Sequence, residues 1–178
     1  ALRSMVRAID EASRAASQLL DHAMITFRSD NLQKEPINLN DLVQNLIDNL
    51  APIAEMKDIE LKFKQEDKIE LFGDFILIQN AIRNLIDNAL KYSPYEGIIT
   101  VSIGTSPISF LEIYDQGPGF PPKDLDNLTM RFTRGQNSNG IVGSGLGLTI
   151  AKDVANAHGA KLQLSNHEKG GACVTLLF

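Results

Sequence analysis

Apolar residues recur along this chain with two different periods. Over residues 1–30 they fall at Leu2, Met5, Ile9, Ala12, Ala16, Leu19 and Ala23, in alternating steps of three and four. That is the heptad period of a helical seam, and neither Gly nor Pro interrupts it. A lone helix cannot bury such a seam, so the pattern predicts a long helix that pairs with another. Residues 31–35 form a polar connector closed by Pro36, and residues 37–39 read as a short strand. Asn40 or Asp41 is predicted to cap a helix reaching about Met56, with Leu42, Val43, Leu46, Ile47 and Leu50 on one face and a kink expected at Pro52.

Ile59, Leu61 and Phe63 alternate with polar residues, which predicts a half-buried strand over 59–64. A second short strand is expected over 69–72. Gly73 and Asp74 then open a strong helix to about Tyr92, its apolar stripe made of Ile78, Ala81, Ile82, Leu85, Ile86 and Ala89. Residues 98–103 and 108–114 read as a hairpin around Gly104–Pro107, and a glycine-rich region follows over 115–147, with one short helix near 123–130. Residues 146–158 are predicted helical, and 161–164 and 172–178 as the last two strands. Helices do not alternate regularly with strands, so the order predicts an α+β fold rather than a doubly wound parallel sheet.

Composition narrows the function classes. The 178 residues carry 17 Lys and Arg against 22 Asp and Glu, a net charge of −5. That balance opposes a general nucleic-acid or anionic-membrane binder, since both need clustered positive charge. One cysteine, Cys173, excludes an intrachain disulfide and a multi-cysteine metal site, and its apolar neighbours predict a buried, inert thiol. No apolar run approaches the roughly 20 residues that span a bilayer, and no signal peptide opens the sequence.

Three groups of residues carry candidate chemistry. Asn84, Asn88 and Lys91 stand four and three residues apart, hence on one helix face. Carboxamide oxygens suit a hard cation such as Mg²⁺, and a lysine offers a point charge to phosphate. Asp115-Gln116-Gly117-Pro118-Gly119 follows an apolar strand. An acidic residue there can accept a hydrogen bond from a ring amine, and glycines admit close backbone approach. Last, glycines at 140, 143, 145 and 147 lead into a helix, whose free N–H groups and dipole form an anion site. Neither a P-loop nor a dinucleotide fingerprint is present there. Arg131 and Arg134 flank Phe132 upstream, and the small polar residues that follow have the composition of a mobile lid.

Taken in order, Asn84-Leu-Ile-Asp-Asn88-Ala-Leu-Lys91-Tyr92, Asp115-x-Gly117-x-Gly119, Arg131-Phe132-Thr133-Arg134 and Gly143-x-Gly145-x-Gly147-Leu148 closely resemble the N, first glycine, F and second glycine boxes of sensor histidine kinases. These belong to the gyrase, Hsp90, histidine-kinase and MutL ATP-binding superfamily. The resemblance implies a two-layer α/β sandwich, with helices on one face of a mixed, mostly antiparallel sheet, preceded by a long N-terminal helix. It places an ATP-binding catalytic domain over 34–178 and, over 1–33, the second helix of a dimerisation hairpin.

Residue by residue, the resemblance implies that Asn88 coordinates Mg²⁺ on the phosphates with help from Asn84. Lys91 and Tyr92 contact phosphate or the nucleotide's edge, Asp115 accepts from the adenine amino group, and Gly117 and Gly119 make room for the base. Arg134 reaches the triphosphate, with Arg131 secondary. Gly143, Ser144, Gly145, Leu146 and Gly147 wrap the phosphates. Implied partners are a second copy through the N-terminal helix and a response-regulator receiver domain, with neither nucleic acid nor direct membrane contact. The implied place is the cytoplasmic part of a membrane-anchored sensor.

Two departures matter. Thr129 stands where the F box often has its first phenylalanine. The family's phosphoacceptor, a His followed by an acid with a Pro nearby, has no counterpart: His22 precedes Ala23-Met24-Ile25-Thr26, His158 ends a helix, and His167 lies in a polar turn. The expectation is a C-terminal piece of a longer kinase, unable to phosphorylate itself. The competing reading is an ATP-hydrolysing clamp. Those relatives carry a Glu as general base at the position of Asn84, and a carboxamide cannot take that proton. A third reading, an interaction module without nucleotide, leaves Asp115 and the lid glycines without a purpose.

Overall fold

The computed structural model describes residues 31–121 and 146–178, together with Leu20, Ala23, Met24, Phe27 and Arg28. Those five single residues are helical. Leu20, Met24 and Phe27 are exposed, as is Ala23 of the predicted seam. The rest of that seam, His22, the short helix expected near 123–130, the F box and the glycines at 140, 143 and 145 lie outside the described residues.

The described elements run β1 (Lys34–Asn38), α1 (Leu39–Glu55), β2 (Glu60–Gln65), β3 (Glu70–Asp74), α2 (Phe75–Tyr92), β4 (Ile98–Thr105), β5 (Ser109–Tyr114), α3 (Gly147–Ala157), β6 (Lys161–Asn166) and β7 (Ala172–Leu177). Five strands form one sheet in the order β2-β4-β5-β7-β6. Only β2–β4 is parallel; the other three pairings are antiparallel. The fold is therefore α+β with a mixed, mostly antiparallel sheet and helices. Strand β2 is an edge whose Lys62, Lys64 and Glu60 discourage pairing with another chain.

Alternation decides which sheet face is covered. Ile99, Val101 and Ile103 of β4 and Leu111 and Ile113 of β5 are at most 1% exposed. They join one apolar core with the stripes of α1, α2 and α3. At roughly 25 cal/mol per Å² of apolar surface, that shared core is the dominant favourable term.

Two local expectations are revised. Asn38, not Asn40 or Asp41, caps α1, its side chain accepting from the Asp41 N–H at 3.3 Å. Asn40 serves the β2–β3 connection instead: its amide donates to Gln65 Oε1 at 2.8 Å and to the Asp67 carbonyl at 3.0 Å, and its oxygen accepts from Ile69 N–H at 2.9 Å. Helix α1 runs through the exposed Pro52 to Glu55, close to the end expected from the sequence. Finally, β1 begins at Lys34 and pairs antiparallel with β3 in a separate two-stranded ribbon, which delivers Asp74 to the start of α2.

Candidate functional site

Helix α2 is set by its cap and its stripe. Asp74 Oδ1 accepts from the Leu77 N–H at 3.3 Å, and Leu77, Ile78, Ala81, Ile82, Leu85, Ile86, Ala89 and Leu90 are buried. With that face in the core, Asn84, Asn88, Lys91 and Tyr92 are left half-buried. The Asn84 amide donates to the Asn80 carbonyl at 2.8 Å, which commits its nitrogen and leaves its oxygen as the available donor atom for a cation. Lys91 Nζ stands 5.0 Å from the centroid of the Tyr92 ring.

Lys57, which the sequence reading passed over, holds the far end of α2. Its ammonium donates to the carbonyls of Leu90 at 2.8 Å, Lys91 at 3.2 Å and Ser93 at 3.4 Å. A cation there answers the negative end of the helix dipole and satisfies carbonyls that have no intrahelical donor.

Strand β5 delivers Asp115, which is 6% exposed. Its Oδ1 accepts from the N–H groups of Gly117 at 2.7 Å and Ala172 at 3.3 Å. Oδ2 takes no hydrogen bond among the described residues, so one acceptor remains for a ligand. Burial pushes this carboxyl above its ordinary value, and the two N–H bonds from Gly117 and Ala172 pull it back only in part.

The glycines of this turn are required by protein contacts. A Cβ on Gly117 would lie 2.7 Å from the Tyr92 carbonyl oxygen, and Gly119, at φ +73°, would place one 2.7 Å from Asn166 Oδ1. Asn166 is a second residue the sequence did not reveal. It clamps Phe120 by accepting from its N–H and donating to its carbonyl, both at 2.7 Å. Gly171, at φ +97°, is a third, because a Cβ there would collide with the carbonyl oxygen of Asp115.

Helix α3 closes the site. Its first residue, Gly147, lies against Asn88: a Cβ there would be 3.0 Å from Asn88 Nδ2. Among the described residues, no side chain caps this helix start. Leu146, just before this helix, is 2% exposed and belongs to the apolar core. Thr149, in the first turn, is buried with a hydroxyl that has no partner among the described residues.

The structure thus joins Gly147 to Asn88, and Tyr92 to Gly117 and Asp115, along one face of α2. Arg131, Arg134, Gly143, Ser144 and Gly145 fall outside the described residues. No group of three or more His, Cys, Asp or Glu among the described residues is placed to hold a metal. The carboxamide oxygens of Asn84 and Asn88 are hard donors of the kind that fit Mg²⁺.

Residues 73–178, more than half of the chain, match the family described as "Histidine kinase-, DNA gyrase B-, and HSP90-like ATPase". The chain belongs to this family. Its relatives include the sensor histidine kinase HprS of Escherichia coli K12, 35% identical over 80% of this chain and 32% of its own length. The sensor protein QseC of the same strain is 34% identical over 96% of this chain and 37% of its own length. The solved cytoplasmic segment of histidine kinase QseC superposes with a TM-score of 0.69 at 25% identity, covering 92% of both chains. The chain thus carries a histidine-kinase catalytic ATP-binding domain and spans about a third of the length of these curated relatives. No helix among its described residues is long and apolar enough to cross a membrane.

Cys173 sits outside this chemistry. Burial first, then the nearby Glu112 carboxylate, push its thiol up to about 11, so it stays protonated and unreactive at neutral pH.

Proposed function

We propose that this chain binds Mg-ATP and presents the γ-phosphate to a histidine on the dimerisation hairpin of a longer kinase, for relay to an aspartate of a response-regulator receiver domain. The observation that carries the reading is the single face of α2, along which Gly147 at the start of α3 lies against Asn88 and Tyr92 lies against Gly117, whose N–H is held by Asp115. In this reading Asp115 accepts from the adenine amino group, and Lys91 and Tyr92 line the nucleotide's edge. Asn88, with the Asn84 oxygen, would hold Mg²⁺, which would offset phosphate charge. The main-chain N–H groups at the start of α3 face the phosphates, joined by Gly143, Ser144 and Gly145, with Arg134 and Arg131 contributing charge.

Phosphoryl transfer then rests on positioning and charge neutralisation. Asn84 supports transfer over hydrolysis. Its nitrogen is committed to Asn80, and its oxygen is too weak a base to activate water. We assign residues 1–33 to the second helix of the dimerisation hairpin, residues 34–178 to the ATP-binding domain, and the whole to the cytoplasmic side of a membrane-anchored sensor.

The test supplies γ-labelled ATP to this chain together with a separately produced hairpin carrying the family's His-acid motif. Acid-labile, base-stable phosphate on the hairpin, and none on this chain alone, is the expected result. Steady ADP release without transfer favours the hydrolase.

Asp115 adds a pH signature. Only its ionised form accepts from an amine through Oδ2, and burial raises its value in the free protein above 3.8. ATP affinity is therefore expected to fall as pH drops through that raised value, above where an ordinary aspartate titrates. The same shift makes the ionised carboxyl a cost to folding: stability from this group is greatest below the unfolded value and lost as pH rises through the folded one. Titrations from pH 7 downward check the first statement.

A further inference from the structure

Asp74 takes no part in the site chemistry, yet it is fully buried, and three parts of the chain meet on it. Its Oδ1 caps α2. Its Oδ2 accepts from Arg28 Nε at 2.8 Å and from the Gln33 N–H at 3.0 Å, both on the N-terminal segment. Its own main-chain N–H donates to His158 Nε2 at 2.9 Å, at the end of α3. That ring is held from its other side, where Nδ1 lies 2.8 Å from the Val154 carbonyl. Since Nε2 accepts, Nδ1 carries the proton and donates. Gly73 lets the ring lie close: a Cβ there would be 2.9 Å from His158 Cδ2.

Arg28 is the ionic partner of this carboxylate among the described residues; the other donors are neutral. Burial pushes the carboxyl up, but the Arg28 hydrogen bond, followed by the Gln33 and Leu77 N–H groups, brings it below its ordinary value. Removing Arg28 leaves a buried charge without its counter-ion, the costly half of a broken buried pair. The helices that wall the site meet at both ends, where Gly147 packs against Asn88 and His158 is hydrogen-bonded to Asp74. Along α2, Asn84 lies about 15 Å and Asn88 about 21 Å from Asp74, a rise that a continuous helix passes on as a rigid body.

We propose that the Arg28–Asp74 pair is a mechanical joint that fixes the N-terminal segment to both helices walling the site, so that displacing this segment changes nucleotide affinity. The affinity part rests on the nucleotide reading above; the joint itself does not. Arg28 and Asp74 are positioning residues in this scheme.

The experiment is native-state hydrogen exchange on the full 178-residue chain, for the wild type, Arg28→Met, Arg28→Lys, Asp74→Asn and the double variant Arg28→Met/Asp74→Asn, with Mg-ATP titration of each. Arg28→Met is expected to speed exchange about tenfold at the first turn of α2 and the last turn of α3, with β4 and β5 unchanged. Mg-ATP affinity should fall roughly fivefold. Arg28→Lys should lie between, and the double variant should be no worse than Asp74→Asn. Acceleration confined to the segment bearing Arg28, additive effects in the double variant, or an unchanged affinity with both helices loosened each overturns the proposal. If Asp74→Asn does not fold, the two Arg28 variants decide it. If the wild type fails to bind Mg-ATP, the nucleotide reading falls, and the exchange pattern still decides the joint.

Discussion

Asp115→Asn is expected to weaken ATP binding by at least about 100-fold, close to 3 kcal/mol, while leaving the fold intact. The asymmetry follows from the two oxygens of Asp115. Oδ1 is occupied by the Gly117 and Ala172 N–H groups. An asparagine must turn its carbonyl to those donors, because its amide would leave both unpaired in a buried site. Its amide nitrogen then occupies the Oδ2 position and faces the adenine amino group, donor against donor. The same amide suits a ring carbonyl, so the preference for ATP over GTP should shrink or invert. Thermal stability at neutral pH should stay level or rise, since the substitution removes a buried charge whose ionisation burial disfavours. Titration with both nucleotides and a melting curve check the set. A variant that binds ATP as the wild type does removes Asp115 from the proposed site.

Gly171→Ala should destabilise the domain by roughly 3 kcal/mol, from a backbone conformation unfavourable to L residues and a steric collision together. Its φ of +97° already disfavours a side chain, and a Cβ would run into the Asp115 carbonyl oxygen. The collision also pushes on the turn that aims Asp115, so ATP affinity should fall in the molecules that remain folded. Gly170→Ala is the control. Its φ is +88°, yet nothing lies within 4 Å of a Cβ there. It should therefore cost only about 1 kcal/mol of backbone strain and spare binding. Urea unfolding of the two variants separates strain from collision. Equal losses would mean the β5–β7 contact yields more easily than this packing implies.

The parts of this fold that obey a local period were legible in the sequence. The stripe of α2 at 78, 81, 82, 85, 86 and 89 is buried as its spacing demands, and the same spacing leaves Asn84, Asn88 and Lys91 half-buried beside it. What escaped depends on distant partners. Asn38, Asn40 and Asp41 are all plausible caps, and the choice falls to Asn38 because the β2–β3 connection claims Asn40. Gly171 reads as an ordinary turn glycine until β7 sets it beside Asp115, 56 residues earlier. Lys57 looks like any lysine after a helix, and its use is decided by α2 carbonyls more than 30 residues on. The β1–β3 ribbon likewise forms only because α1 folds back between its strands. The candidate site was legible to the extent that residue order resembles the family's boxes; the contacts that aim those boxes were not.

The most direct test of the account is a calorimetric titration of ATP into the wild-type chain, with Mg²⁺ and then with a chelator. One saturable site that tightens with Mg²⁺ and yields no ADP over the titration is the predicted result. Absence of binding in both conditions contradicts the account at its centre.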